Sequence, residues 1–214
     1  MSAVNNRKNS TFITLGVGLI FVAIILVQFF STGPKDLYYQ EIESDRETKD
    51  FQFSSSPQSP IPKEERKSFK ALDYFPINRA YAVPATLVRD SVKDTLSLTT
   101  SFGNPYNTVR LGKLAFNLLG KDYQLVAYQY LEAEKRNKLF IPFRDLTTNV
   151  STYGGGRYLD IPYTQDITID FNHAYNPYCV YNESFECPFP PRENYIQLEI
   201  LAGEKMYGTP AHEL

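Results

Sequence analysis

The feature that most constrains this 214-residue chain is an uncharged apolar stretch near its N-terminus. Residues 11–30 read TFITLGVGLIFVAIILVQFF and carry no formal charge. At a rise of ~1.5 Å per residue, a helix of this length spans about 30 Å, the thickness of a bilayer core. A cleaved signal peptide is the alternative, but its apolar part is shorter, and Phe29 and Phe30 stand where a signal peptidase needs small residues. The sequence therefore predicts one uncleaved transmembrane helix that acts as a signal anchor.

The charges beside this span predict its orientation. Arg7 and Lys8 precede the span, whereas the lysine just after it is offset by nearby carboxylates. Because basic residues favour the cytoplasmic side of a membrane, residues 1–10 are expected in the cytoplasm and the part from about Ser31 onward outside it. The predicted location is the cytoplasmic membrane, crossed once, with residues 11–30 in contact with lipid.

The composition of the chain bounds both its fold and its partners. The 22 basic and 24 acidic residues give a formal net charge of −2. Nucleic acid is not expected as a partner, because binding to phosphates requires a basic excess. The 16 tyrosines and 15 phenylalanines accompany no tryptophan, and such rings favour the half-buried surfaces of β-sheets. The length fits a single main domain.

Residues 31–62 are predicted to join the anchor to that domain. The stretch 34–50 is polar, with apolar residues at loosely helical spacing, which indicates a short helix leaving the membrane. Residues 53–62 read FSSSPQSPIP and are expected to form a loop, because proline continues neither a helix nor a strand ladder. Residues 63–214 then make up the extracytoplasmic domain.

From about Ala80 onward, runs of β-branched and aromatic residues alternate with turn residues. This pattern predicts a mainly β domain, either an antiparallel sandwich or a barrel-like meander. GKD at 120–122 and EKRN at 134–137 predict two hairpin connections. The predicted strands are Tyr81–Arg89, Thr95–Phe102, Thr108–Leu118, Tyr123–Leu131, Leu139–Phe143, Arg157–Pro162, Ile167–Asn172 and Tyr195–Leu201.

The C-terminal half carries four ordered motifs, which are TYGGGRYLD at 152–160, DFNHAYNPYC at 170–179, CPFPPREN at 187–194 and AGE at 202–204. Together they resemble the bacterial family known as domain of unknown function 1684. The resemblance extends upstream through KDFQF, SPQSP, FKALDYFP and LFIPFRDLT, and so covers nearly the whole exported part. The family has no established activity, so the resemblance implies no reaction and no role for any residue.

Two aspartates are the candidate catalytic residues. If Arg157–Pro162 and Ile167–Asn172 form a hairpin with the odd, apolar positions on one face, one register places Asp160 opposite Asp170. Their carboxylates would then lie about 5 Å apart. Like charges this close need a proton, a cation or an arginine between them, as in acid/base pairs. The alternative is a solvated outer face in a shifted register.

The triple glycine at 154–156 predicts a tight turn, formed against another strand or around an anion held by backbone N–H groups. No known nucleotide-binding motif accompanies it, and no cofactor is expected. A pocket in this region would place a ligand near the neighbouring polar side chains. The predicted ligand-binding residues are Tyr153, Arg157, Asp160, Asp170, Asn172 and Asn176.

Arg157 falls on the odd, apolar face, where an unpaired charge costs several kcal/mol. Its candidate partners are Glu193 or Glu204 in the C-terminal segment, backbone carbonyls of the turn, or a bound anion. A structural role predicts that Arg157→Lys destabilises the fold, because an ammonium cannot replace the guanidinium fork.

Cys179 and Cys187 are the two cysteines of the chain. A disulfide is predicted between them because the segment is placed outside the reducing cytoplasm, with free thiols as the alternative. A zinc site would add His173, but three ligands without a recognised spacing predict no metal site.

The leading hypothesis for function is a non-enzymatic module of the cell envelope. It would bind a small or anionic ligand, or an envelope protein, through residues 153–178. The alternative is a hydrolase that uses Asp160 and Asp170 as an acid/base pair, with or without a divalent cation.

Overall fold

The computed structural model of the chain describes residues 36–91 and 95–208. The predicted anchor at residues 11–30 lies outside these ranges, and no helix within them is long and apolar enough to cross a membrane. Helix α1 spans Leu37–Ser55 and so continues past its predicted end. It stops shortly before Pro57, whose ring and missing N–H are incompatible with a helix interior. The described residues from Ile42 onward form one compact unit.

The domain is built on one antiparallel sheet of seven strands. These are β1 (Ala82–Arg89), β2 (Thr95–Thr99), β3 (Pro105–Leu118), β4 (Lys121–Gln129), β5 (Lys138–Phe143), β6 (Arg157–Pro162) and β7 (Ile167–Asp170). Their spatial order is β6-β5-β4-β3-β1-β7, and β2 also pairs with β3. The two end strands follow each other in the chain, and the sheet curls into a nearly closed barrel. The prediction of a mainly β, antiparallel, barrel-like domain with a helical segment is confirmed.

Both predicted hairpins are present. In the β3–β4 hairpin, Leu118 pairs with Lys121. The turn residues Leu119 and Gly120 have φ of 50° and 82°, and two consecutive positive φ angles suit the twist of a tight hairpin. The β4–β5 hairpin is closed through a short 3₁₀ helix at Ala133–Lys135.

The predicted hairpin between β6 and β7 is wrong. β6 pairs with β5, whereas β7 pairs with β1 from the start of the domain. Ile167 and Ile169 are still buried when β7 pairs with β1. The apolar face of β7 is therefore covered although its partner strand is distant in sequence. The alternation of apolar residues along a strand indicates which of its faces is buried, but it does not indicate which other strand pairs with it.

The predicted strand at Tyr195–Leu201 is also wrong, since this segment is irregular. Its backbone bonds instead to the loop after β5, through Ile196 N–H to the Arg144 carbonyl at 2.8 Å and Leu146 N–H to the Leu198 carbonyl at 3.1 Å. Ile196 and Ile200 enter the barrel core. The apolar residues that suggested a strand are therefore buried without a strand ladder.

Alternation along the strands produces two apolar clusters on opposite faces of the sheet. In β6, Leu159 and Ile161 belong to the core inside the barrel, whereas Tyr158 belongs to an aromatic cluster on the outer face. The CPFPP segment lies along that outer face, with Phe189 N–H donating to the Thr99 carbonyl at 2.8 Å. A third cluster contains Phe53 of α1.

Candidate functional site

A pocket of about 170 Å³ lies between α1 and the segment that follows β7. The lining residues of α1 are spaced three and four apart, which places them on one face of the helix. The pocket is lined by Ile42, Asp45, Arg46 and Lys49 of α1, and by Tyr74, Asn172, His173, Ala174, Tyr175 and Glu204.

Glu204 is the buried carboxylate of the pocket wall, at 1% exposure. It accepts hydrogen bonds from the Asn176 backbone N–H at 2.8 Å and the Tyr181 hydroxyl at 2.6 Å, and it forms an ion pair with Lys49. The Lys49 ammonium also lies 4.9 Å from the centre of the Tyr175 ring, a favourable cation–π position. The charges of Lys49 and Glu204 therefore compensate each other in the wall.

Arg46 and Tyr74 bring further donors to the pocket. The Arg46 guanidinium donates to the Phe75 carbonyl at 3.1 Å and lies 4.3 Å from the centre of the Tyr74 ring. The Tyr74 hydroxyl is buried and has no hydrogen-bond partner in the described part of the chain. Burial raises the pKa of Tyr74, and the nearby carboxylates Glu204 and Asp50 raise it further. The hydroxyl therefore keeps its proton at neutral pH and can donate to a ligand.

His173 lies at the more open side of the pocket, with 40% of its side chain exposed. Its Nδ1 is 3.8 Å from Asp45 Oδ2, and its Nε2 is 3.9 Å from Asp170 Oδ2. Both separations are too long for direct hydrogen bonds. Asp170 also orients Asn172, whose backbone N–H and side-chain amide donate to Asp170 Oδ1 at 2.9 and 2.8 Å.

Four of the six predicted ligand-binding residues lie in or behind the wall of this pocket rather than around one mouth. Asn172 lines the pocket directly. Three of the others contact residues of the wall: Asp170 bonds to Asn172, Asn176 bonds to Glu204, and Asp160 accepts a hydrogen bond from Tyr175 at 2.8 Å.

Asp160 and Asp170 do not face each other, so the predicted carboxylate pair is wrong. Asp160 lies opposite Phe140 of β5, and Asp170 lies opposite Ala82 of β1. Asp160 accepts hydrogen bonds from two tyrosine hydroxyls, that of Tyr130 at 2.5 Å and that of Tyr175 at 2.8 Å. Each aspartate thus has its own structural partners, because its strand pairs with a different neighbour.

Arg157 is inside the barrel, at 1% exposure, rather than at the mouth of a pocket. Its Nη2 lies 2.7 Å from Asp145 Oδ2, and three backbone carbonyls of residues 200–204 accept its other N–H groups. Burial lowers the pKa of Arg157, and Asp145 opposes that shift. The predicted carboxylate partners were wrong, since Glu204 contributes only a carbonyl here and Glu193 bonds to another arginine.

Tyr153 belongs to the surroundings of the two cysteines, since its hydroxyl lies 4.0 Å from Cys179 Sγ. Both cysteines are free thiols in the structure, so the predicted disulfide is not formed here. The Cys179 backbone N–H donates to Cys187 Sγ at 3.3 Å. Within residues 36–91 and 95–208, no group of His, Cys, Asp and Glu side chains is arranged to hold a metal ion.

Sequence reasoning missed the pocket residues contributed by α1. The available signal was the spacing of Ile42, Asp45, Arg46 and Lys49, which puts one apolar and three charged side chains on a single helical face. A helix predicted to lie beside the membrane gives no reason to expect this face in a pocket of the β domain. The structure instead places this face against the β domain.

The chain has relatives in sequence and in structure. Residues 67–205 match the family model described as "Protein of unknown function (DUF1684)". No curated protein matches the chain. An uncharacterized protein of Haloarcula marismortui, solved in solution by NMR, is 36% identical, with a TM-score of 0.63 over 78% of this chain and 94% of that chain. The chain therefore belongs to the DUF1684 family of proteins of unknown function.

Proposed function

We propose that this protein is a membrane-anchored, extracytoplasmic domain that binds a small anionic ligand in the pocket beside α1. The observation that carries the proposal is the convergence of the Arg46 guanidinium, the buried Tyr74 hydroxyl and His173 on one cavity of about 170 Å³. Pockets for drug-sized ligands take about 300–1,000 Å³. The smaller volume suits an oxyanion or a short carboxylate, and it is too small for a nucleotide.

The distribution of charge around the pocket supports an anion. Glu204 is neutralised by Lys49 and has two further hydrogen-bond donors. Asp45 is on the rim, with 61% of its side chain exposed, so its charge is well solvated. The buried Tyr74 hydroxyl and the Arg46 guanidinium are the donors that we assign to the oxygen atoms of the ligand, because both line the same cavity.

An anchor at residues 11–30 would hold this binding domain at the outer surface of the membrane, where it would meet ligands of the cell envelope. The uncharged span and its basic flank support this placement. The Haloarcula marismortui relative is matched over 94% of its own length and was solved in solution. A chain composed almost entirely of this domain therefore folds, so we expect the anchor to localise the domain rather than to stabilise it.

The hydrolase alternative receives no support from the geometry. Its two carboxylates were expected to share a proton or a cation across a hairpin, and that hairpin is not formed. Asp160 is held by tyrosine hydroxyls, and Asp170 is held by the amide of Asn172. Binding is thus the function that the pocket supports best.

Titration with inorganic phosphate tests the proposal. Asp45→Asn removes a negative charge from the rim and should tighten phosphate binding about fivefold, since two unit charges at ~4 Å interact by about 1 kcal/mol in water. His173→Leu removes the imidazole N–H donor and should weaken binding. Glu47→Gln is the matched control, because it changes the same charge at an exposed position of α1 outside the pocket lining.

Two outcomes would contradict anion binding at this pocket. One is the absence of saturable binding by calorimetry or NMR. The other is an equal effect of Asp45→Asn and Glu47→Gln, which would indicate a general effect of net charge rather than a site.

A further inference from the structure

Two thiols, those of Cys179 and Cys187, lie side by side in the aromatic cluster on the outer face of the sheet. Cys187 is buried, at 7% exposure, and Cys179 is half-buried. The backbone N–H of Cys179 donates to Cys187 Sγ at 3.3 Å. Cys187 is fixed to the turn after β2, because its carbonyl accepts from the Ser101 backbone N–H at 2.9 Å and its own N–H donates to Ser101 Oγ at 3.3 Å.

The two sulfur atoms differ in their chemistry. A hydrogen bond with Cys187 lowers the pKa of Cys179 to about 7, so a large share of this thiol is thiolate at neutral pH. The hydroxyl of Tyr153 also contacts Cys179 Sγ. The hydrogen bond between the two cysteines raises the pKa of Cys187, and burial raises it further. Thiolates are the nucleophiles in disulfide exchange, so Cys179 is the attacking group and Cys187 is the resolving group.

We propose that Cys179 and Cys187 form a reversible dithiol–disulfide pair that exchanges with small disulfides and changes the pocket through Tyr181. The Cys179 thiolate attacks one sulfur of the small disulfide, forms a mixed disulfide and releases one thiolate. Cys187 then attacks Cys179 Sγ, gives up its proton, closes the internal S–S bond and releases the second thiol. Two electrons and the proton of Cys187 pass from the pair to the co-reactant, which leaves as one thiolate and one thiol.

Tyr181 connects this pair to the pocket. It lies inside the loop that the S–S bond would close, directly after the short 3₁₀ helix Tyr178–Val180 that contains Cys179. Its hydroxyl donates to Glu204 at 2.6 Å, and Glu204 pairs with Lys49. Closing the bond draws Cys179 toward Cys187, which is fixed to the sheet, and therefore displaces the segment that carries this hydroxyl. The coupling needs no ligand in the pocket and does not depend on the proposed function.

Exchange with glutathione tests the chemistry of the pair. The purified full chain is equilibrated in buffers with graded ratios of glutathione to glutathione disulfide, and its free thiols are then counted by maleimide labelling and mass spectrometry. Both thiols should disappear together and return with dithiothreitol without denaturant. Cys187→Ser should stop at a mixed disulfide with glutathione, and Cys179→Ser should react far more slowly. Two thiols that stay free in glutathione disulfide, or equal rates for the two variants, would overturn the proposal.

Acetylation of Lys49 tests the link to the pocket. The rate at which acetic anhydride acetylates Lys49 should differ about fivefold between the reduced and oxidised chains. This is the effect of losing one hydrogen bond, that from the Tyr181 hydroxyl to Glu204, the carboxylate that pairs with Lys49. Lys121, in the β3–β4 hairpin, is the control lysine and should react equally in both states. Tyr181→Phe should abolish the difference at Lys49 while the disulfide still closes. A difference that persists in Tyr181→Phe, or no difference in the unmodified chain, would refute the link.

Discussion

Asp145 and Arg157 form an ion pair inside the barrel, with 2.7 Å between Oδ2 and Nη2 and 1% exposure of each side chain. Three carbonyls of residues 200–204 accept the other guanidinium N–H groups. The second oxygen of Asp145 accepts the Thr147 backbone N–H at 2.8 Å. One guanidinium thus joins the start of β6, the loop after β5 and the C-terminal segment.

Arg157→Lys should lower the free energy of unfolding by about 3 kcal/mol, because an ammonium keeps the charge but loses the fork that serves the carbonyls. Urea denaturation measures the change. Arg192→Lys, at an exposed position, should stay within about 0.5 kcal/mol of the unmodified protein. Equal unfolding midpoints for Arg157→Lys and the unmodified protein would show that the buried network does not stabilise the fold.

Lys49 and Glu204 should be coupled energetically. Lys49→Met leaves a buried carboxylate without its ammonium and should destabilise the domain by about 2–3 kcal/mol. In a Glu204→Gln background the same lysine change should cost less than about 1 kcal/mol, because no buried charge is left uncompensated. A double-mutant cycle by urea denaturation measures this coupling. Simple additivity of the two changes would contradict a direct ion pair.

The β3–β4 hairpin and strand β6 illustrate what local sequence determines. The bounds of β6 at Arg157–Pro162 agree with the prediction, because alternating apolar residues followed by a proline define a strand locally. The partner of a strand is not local. β7 pairs with β1, more than 80 residues earlier in the chain, and only the closure of the barrel selects that partner.

The same difference between local and distant residues applies to the pocket, of whose lining the sequence prediction names Asn172. Asn172 and the residues behind it come from one continuous segment, and its polar side chains indicated a site. Arg46 and Tyr74 come from distant parts of the chain, and the packing of α1 against the domain brings them to the pocket. The burial of Arg157 could be expected from its parity on β6, but its partner Asp145 depends on how the loop after β5 folds back.

The stability of the domain should fall at alkaline pH. Burial raises the pKa of Tyr106 and of Tyr128 to about 12, whereas an unfolded tyrosine titrates near about 10. Between these values the folded chain holds protons that the unfolded chain releases, so the free energy of unfolding falls as pH rises from about 10 toward 12. Phenolate absorbance and urea denaturation at each pH measure the effect. Tyr106→Phe should reduce the slope, and an unchanged slope would contradict this assignment.

Leu119→Asn should stabilise the domain. Leu119 has a φ of 50° in the hairpin turn and is 54% exposed, and a left-handed conformation disfavours leucine more than asparagine. The expected gain is about 0.5–1 kcal/mol, measured as a higher melting temperature. Leu131→Asn is the control, since Leu131 is 42% exposed but is not in the left-handed region. A matching gain in the control would attribute the effect to lost apolar exposure instead of backbone conformation.

The proposed topology predicts which part of the chain a protease can reach. Protease added to intact spheroplasts should digest the β domain and spare roughly the first thirty residues, because Arg7 and Lys8 favour retention of the N-terminus in the cytoplasm. Replacing both basic residues by glutamine weakens that preference and should leave a fraction of the chains with a protected domain. Replacing Lys63 and Lys67 by glutamine removes the same charge far from the span and should leave digestion complete. Protection of the domain in unmodified spheroplasts, followed by digestion after lysis, would show that the domain faces the cytoplasm and would remove the basis for an envelope ligand.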